Sequence, residues 1–108
     1  EINGIKVILK AFENKEADSL REIVDKAKDK LKSCVVVLGT NNDKAVFAVG
    51  VTKDLTDKVK AGDLVKELAK VTGGNGGGRP DFAQAGGKEG KLVPEALELA
   101  KKILEEKL

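Results

Sequence analysis

Residues Cys34-Val-Val-Val-Leu-Gly39 form an unbroken apolar run in a chain where 35% of residues are charged. A strand with one face in water alternates polar and apolar residues; one that reads as continuously apolar is covered on both faces. After Thr40-Asn41-Asn42-Asp43, whose composition is turn chemistry, Ala45 to Val51 is again apolar and β-branched. The two runs predict an antiparallel hairpin whose first strand needs helices to hide it. That requirement points to a layered α/β unit, with two or three layers.

The flanking segments supply the helices. Gly4 to Phe12 alternates, with Ile5, Val7, Leu9 and Ala11 on one face and Lys6 and Lys10 on the other, which is strand periodicity. From Asn14 to Lys32 the period becomes helical: Leu20, Ile23, Val24, Ala27 and Leu31 share a stripe. Asp18 or Ser19 is placed to cap this helix, with Glu22 completing a capping box from Ser19. Ala61 to Thr72 predicts a second helix through Leu64, Val65, Leu68 and Ala69, and Gly73 follows where a C′ glycine belongs. Pro94 at a first helical position opens a third, lined by Leu97, Ala100, Ile103, Leu104 and Leu108. The predicted fold is a single α/β domain over residues 1–108 with a mixed sheet and helices packed on it. Its order is strand, helix, strand, strand, helix, glycine-rich loop, helix, with one more short strand expected within residues 81–91.

A chain of 108 residues buries roughly two-thirds of its unfolded surface, enough for one core. No apolar run approaches the ~20 residues of a membrane span, and no basic segment precedes a signal-type apolar stretch. The start at Glu1 and the absence of methionine read as a segment of a longer protein. With no histidine, imidazole catalysis and His-ligated metals are excluded. Cys34 alone excludes an intrachain disulfide or a CxxC metal site, and its apolar setting reads as core rather than reactive thiol. Phe12, Phe47 and Phe82 are the only aromatics, too few for a base-stacking platform. Lys+Arg 20 against Asp+Glu 18 gives +2, suited to phosphate contact from one face rather than to a basic arm. The Lys- and Glu-rich composition leans toward a thermophile.

Gly73, Gly74, Gly76, Gly77, Gly78, Gly86, Gly87 and Gly90 place eight of the twelve glycines in one segment. Consecutive glycines let backbone N–H groups approach an anion and form a nest. Arg79 presents a fork that suits phosphate, and Lys88 adds a second charge. The composition also suits a flexible loop with a solvated arginine, although Phe82, Ala83 and Ala85 between the glycine clusters favour an ordered segment, with Phe82 as an anchor. Two nucleotide motifs fail. Gly73 and Gly78 have P-loop spacing, but Arg79-Pro80 replaces the Lys-Ser/Thr pair. Gly74 and Gly76 begin a dinucleotide fingerprint, but Arg79 stands at the third glycine and a helix precedes where a strand is needed. No catalytic set emerges: Ser19 and Ser33 lack a base, and Asp81, the carboxylate within the loop, is placed to pair with Arg79 or cap a turn.

Gly76-Gly-Gly-Arg-Pro-Asp-Phe-Ala-Gln-Ala-Gly-Gly87 resembles the signature of the DHHA1 domain family, in the version found at the C-terminal end of alanyl-tRNA synthetases. Val59 to Lys70 and Glu95 to Ala100 are similar to the same family. The resemblance implies an RNA-binding domain without catalysis of its own, docking the tRNA elbow to assist aminoacylation and editing in a cytoplasmic ligase. Its partners would be tRNA, with tRNA-Ala foremost, and the enzyme's other domains. It would carry no cofactor or metal itself, since the family's ATP, magnesium and zinc sites lie in those other domains. On this reading Gly74, Gly76, Gly77, Gly78, Arg79 and Lys88 contact phosphate or sugar. The lysines from Lys26 to Lys32 and Lys53, Lys58 and Lys60 add diffuse attraction. The family also occurs in DHH phosphoesterases, where it helps bind nucleotide, but those carry Gly-Gly-His where this chain has Gly77-Gly78-Arg79. A third reading is a homo-oligomer or interaction module built on Leu99, Ile103 or Leu108.

Overall fold

The computed structural model describes residue 2, residues 4–42 and residues 44–108. The order is β1 (Lys6–Glu13), α1 (Ala17–Leu31), β2 (Cys34–Asn42), β3 (Lys44–Val51), α2 (Ala61–Val71), β4 (Asn75–Gly78), β5 (Phe82–Gly87) and α3 (Val93–Lys107). Short 3₁₀ turns cover Lys53–Leu55 and Gly90–Leu92. The strands make one five-stranded sheet in the order β1-β2-β3-β5-β4. β1 and β2 run parallel, joined through α1, and the other pairs are antiparallel.

The apolar run at Cys34 is explained by what lies on each side of it. Val35 and Val37 enter a core with Phe47, Val49, Val51, Leu64, Leu68, Ala100 and Leu104, beneath α2 and α3. Cys34, Val36 and Leu38 point the other way, into a core with Leu20, Val24 and Ala48 beneath α1. Alternating side chains thus fill two apolar layers, and the fold has three layers. Cys34 is fully buried, and burial pushes its thiol pKa up, as a core cysteine requires. Its backbone N–H donates to Thr52 Oγ1 at 3.0 Å.

Several element limits differ from those read in the sequence. β1 is shifted to Lys6–Glu13, and its Lys6 and Lys10 face also carries Ile8 and Phe12, which pack on the α1 core. α1 begins at Ala17, so Asp18 and Ser19 lie inside it; Glu16 occupies the N-cap and no side-chain cap forms. The Ser19–Glu22 capping box is therefore absent, because Glu16 already accepts from the Ser19 N–H through its carbonyl. β2 continues through Thr40 and Asn41 to Asn42, since pairing extends to Asn41 with β1 and to Asn42 with β3; Asp43 of the expected turn lies outside the described residues. Pro94 occupies the second helical position, after Val93.

The largest departure is the glycine-rich segment. It is not a loop but a β-hairpin: β4 is the edge strand and β5 lies between it and β3. β5 falls within the residues expected to add a strand; β4 carries no strand signal at all. α2 ends in a Schellman motif: Gly73 has φ 74°, its N–H points to Lys70 O, and Gly74 N–H donates to Ala69 O at 2.9 Å. This reversal feeds the chain directly into β4.

The C-terminal helix buries the stripe read from its sequence. Leu97, Ala100 and Leu104 are buried, and Ile103 and Leu108 pack against the same core. Among the described residues no large hydrophobic side chain is exposed.

Asp54, at the start of the first 3₁₀ turn, titrates below the ordinary aspartate range. Its carboxylate accepts a hydrogen bond from the Ser33 hydroxyl, which favours the ionised form. A carboxyl with a lowered folded pKa stabilises above its unfolded value and loses that contribution as pH falls through the folded value. Asp54→Asn is expected to unfold at lower urea than the parent chain at pH 7. The two midpoints should converge as the pH falls below the ordinary aspartate range, since the effect resides in the ionised form.

Candidate nucleic-acid interface

The hairpin turn is closed by Arg79 N–H donating to Phe82 O at 2.9 Å, with Pro80 and Asp81 between them. In an antiparallel pair, hydrogen-bonded and non-bonded residue pairs alternate. With Arg79 and Phe82 bonded, Gly77–Gln84 and Asn75–Gly86 are the next bonded pairs along the register. The backbone groups of Gly76 and Gly78 therefore face away from β5, along the open edge of the sheet. A Cβ at Gly76 would strike Ala85, and one at Gly78 would lie 2.7 Å from Ala83 Cα. Glycine is required here because β4 lies too close to β5 for side chains.

The nest expected of these glycines does not form. Such a concavity needs neighbouring residues of right- and left-handed helical conformation, and among the described glycines only Gly4 and Gly73 have positive φ. Gly76, Gly77 and Gly78 are extended instead and offer a bare backbone rail.

The turn at the far end of the rail is tied to α1. Lys28 Nζ donates to Asp81 O at 3.0 Å, and the Arg21 guanidinium sits 5.2 Å from the centroid of the Phe82 ring, a contact of about 0.5–1 kcal/mol. Phe82 packs on the α1 core, as an anchor should. Arg79 Nε lies 3.8 Å from Asp81 Oδ1, with its side chain 75% exposed. A pair this open contributes little to stability and leaves the guanidinium free to meet an anion. Ala61 N–H donates to Pro80 O at 2.8 Å, so the turn also rests on the start of α2.

Lys88 sits at the opposite end. Five residue steps of β5 separate Phe82 from Gly87, which is ~17 Å of strand. Arg79 and Lys88 therefore do not converge on one anion. What converges near Lys88 is a set of lysines that sequence reading did not single out. One cleft of about 580 Å³ is lined by Lys44, Gly73, Gly74, Asn75, Gly87 and Lys88, among others. A second, of about 350 Å³, is lined by Lys66, Lys70, Gly74, Asn75 and Gly76. Gly74 and Asn75 form the ridge between them, with two lysines on either side. Lys70 has Glu67 at 3.4 Å, both exposed. Lys66 and Lys70 come from α2, which turns directly into β4, and Lys44 from the start of β3; the sheet order brings Lys44 to the hairpin. A helical i, i+4 lysine pair beside a glycine cluster was the available signal.

Among the described residues, no group of three or more His, Cys, Asp or Glu side chains is arranged to hold a metal ion. No helix among them is long and apolar enough to cross a membrane.

Residues 4–106 match the family model of the DHHA1 domain. This chain belongs to the DHHA1 family. The DHHA1 chain is 57% identical over its whole length to an alanine–tRNA ligase of Fusobacterium nucleatum, and 52% identical over 95% of it to that of Alkaliphilus oremlandii. It spans 12% of the length of each of these ligases. The crystal structure of the C-Ala domain from Aquifex aeolicus alanyl-tRNA synthetase superimposes with a TM-score of 0.88 at 38% identity, over 97% of this chain and 96% of that one. The DHH domain of an S1p-family ribosomal protein shares the fold alone, with a TM-score of 0.57 at 21% identity, over 84% of this chain and 22% of that one. Residues 76–87, which carry the sequence resemblance, are thus the β4–β5 hairpin, and Gly76, Gly77 and Gly78 form its edge rail rather than a phosphate nest.

Proposed function

We propose that this domain is the C-Ala region of a cytoplasmic alanine–tRNA ligase and that it docks the elbow of tRNA, tRNA-Ala first among candidates. It performs no catalysis itself. By holding the outer corner of the L-shape it helps present the tRNA to aminoacylation and editing sites in the enzyme's other domains, where the ATP, magnesium and zinc sites also lie. The observation that carries this reading is the lysine-flanked hairpin: Lys44 and Lys88 on one side of Gly74–Asn75, Lys66 and Lys70 on the other, and Arg79 at the tip. The 57% identity to a ligase and the fit to a C-Ala domain favour the same reading. Lysines along a side-chain-free edge suit RNA backbone, because phosphate contacts position a nucleic acid without reading its sequence. In this role Gly74, Gly76, Gly77 and Gly78 give close approach, and Arg79 and Lys88 mark the two ends of the contact strip.

The nucleotide-binding role of a DHH phosphoesterase is supported only at the level of fold. Dimerisation through α3 is disfavoured, since Ile103 and Leu108 pack on the chain's own core.

Filter binding of a folded tRNA at two salt concentrations tests the proposal. Salt-sensitive binding is expected, and Arg79→Ala should lower the slope of log K against log salt by about 1. Absence of binding at low salt by a folded protein would refute tRNA docking by this domain. A slope unchanged by Arg79→Ala would remove the hairpin tip from the contact strip.

A further inference from the structure

Between Gly73 and Gly78 the one side chain is Asn75. It is exposed on the ridge that separates the two lysine-lined clefts and lines both. Its backbone pairs with Gly86 in β5. No side-chain hydrogen bond among the described residues uses its amide. A carboxamide carries an acceptor oxygen and two N–H donors, and it is uncharged. Between ammonium groups it is the one uncharged group, and the one that can both donate and accept.

We propose that Asn75 is a specificity-determining residue of the RNA contact. It engages an uncharged donor–acceptor group, a ribose 2′-hydroxyl or a base edge, while Lys44 and Lys88 on one side and Lys66 and Lys70 on the other hold the flanking phosphates. This rests on the tRNA-docking reading above. The placement supports it in three ways. Asn75 lines both clefts, so a strand whose phosphates are held in the two clefts places the intervening nucleoside over the amide. Gly74 and Gly76 on either side carry no side chain to fend a ribose off. The amide can satisfy both halves of a hydroxyl, which is the group that distinguishes RNA from DNA.

Charge and hydrogen bonding separate cleanly in a salt titration. A lysine–phosphate contact releases counterions and contributes to the salt slope; a neutral hydrogen bond does not. The experiment measures binding of an unmodified tRNA-Ala transcript, and of a DNA copy of the same sequence, by the full 108-residue chain and by Asn75→Ala, Asn75→Gln and Lys66→Gln. Asn75→Ala is expected to weaken RNA binding about threefold to tenfold with the salt slope unchanged, and Asn75→Gln to restore part of the loss. Lys66→Gln should lower the slope by about 1. If the partner is the 2′-hydroxyl, Asn75→Ala also removes the preference for RNA over the DNA copy; if it is a base edge, both ligands weaken alike. Unchanged affinity in Asn75→Ala, beside a clear effect of Lys66→Gln, overturns the assignment of Asn75 and leaves tRNA docking standing. A drop in slope in Asn75→Ala equally overturns it, since the substitution then acts by disturbing the lysine–phosphate contacts rather than by removing a neutral hydrogen bond. Loss of effect in every variant, with binding intact, overturns the placement of the site on this hairpin.

Discussion

Replacing Lys44, Lys66, Lys70 and Lys88 together by glutamine is expected to weaken tRNA binding about a thousandfold at about 0.15 M salt. The estimate follows from counterion release: each phosphate contact contributes roughly 0.9 to the slope, or about 0.7–0.8 of a decade at that salt, and four are removed. The slope itself should fall by about 3 to 4. All four lysines are exposed, so thermal stability should move by no more than about ±0.5 kcal/mol per substitution. The matched control replaces Lys6, Lys10, Lys26 and Lys30, also exposed, on β1 and α1 at the opposite edge of the sheet. It removes the same net charge. If affinity tracked net charge alone, the two variants would bind equally weakly. A loss confined to the first identifies the hairpin as the contact and reduces the Lys26 to Lys32 face to a solvated helix surface.

The second large effect concerns stability. Phe47 is fully buried in β3, at the centre of the sheet and in the core beneath α2 and α3. Phe47→Ala should cost about 3–5 kcal/mol, from a domain total of about 5–15 kcal/mol, and lower the melting temperature by roughly 15–30 °C. The neighbouring strand makes the test more specific. Gly39 pairs with Phe47 across β2 and β3, and a Cβ there would lie 3.0 Å from the ring and 2.8 Å from Val93 Cγ1. Gly39→Ala should therefore cost about 1–3 kcal/mol by overpacking, and less in a Phe47→Leu background where the ring is gone. Additive costs in the double mutant, measured by urea unfolding, would show that Gly39 is not held small by Phe47.

The central hairpin, all three helices and the layered architecture were legible because burial imposes period and continuity on sequence. Val35 and Val36 must both be apolar when helices cover both faces. β4 was not legible, for a physical reason. Strand propensity reflects side chains packing on a pleated surface, and Asn75-Gly-Gly-Gly78 has almost none to pack. Its pairing is dictated by a neighbour, β5, whose alanines leave no space for a Cβ. The α1 start was misplaced for a related reason: Ser19 satisfies the capping pattern in one dimension, yet the backbone carbonyl of Glu16 takes its N–H. At the candidate site, glycines and Arg79 could be named from their chemistry. Lys66 and Lys70 carried a signal that went unused, an i, i+4 pair just ahead of the glycines; Lys44 carried none, because 31 positions separate it from Asn75 along the chain and only the β3-β5-β4 order draws it to the hairpin.

β4 has four residues, pairs on one side only and contributes one side chain. Besides its backbone bonds to β5 it rests on α2, where Gly62 meets the Gly78 carbonyl, but it adds almost no apolar side chain to the core, so it belongs to the part of the domain that opens most readily. Amide deuterium exchange should reflect this: Gly76 and Gly78, whose N–H groups face outward, exchange fastest, while those of β2 and β3 report global unfolding. A bound RNA lying along the rail would slow the Gly76 and Gly78 amides without changing those of the centre. The least protected strand of the sheet would thereby record occupancy, residue by residue, in a protein that has no tryptophan or tyrosine to report it by fluorescence.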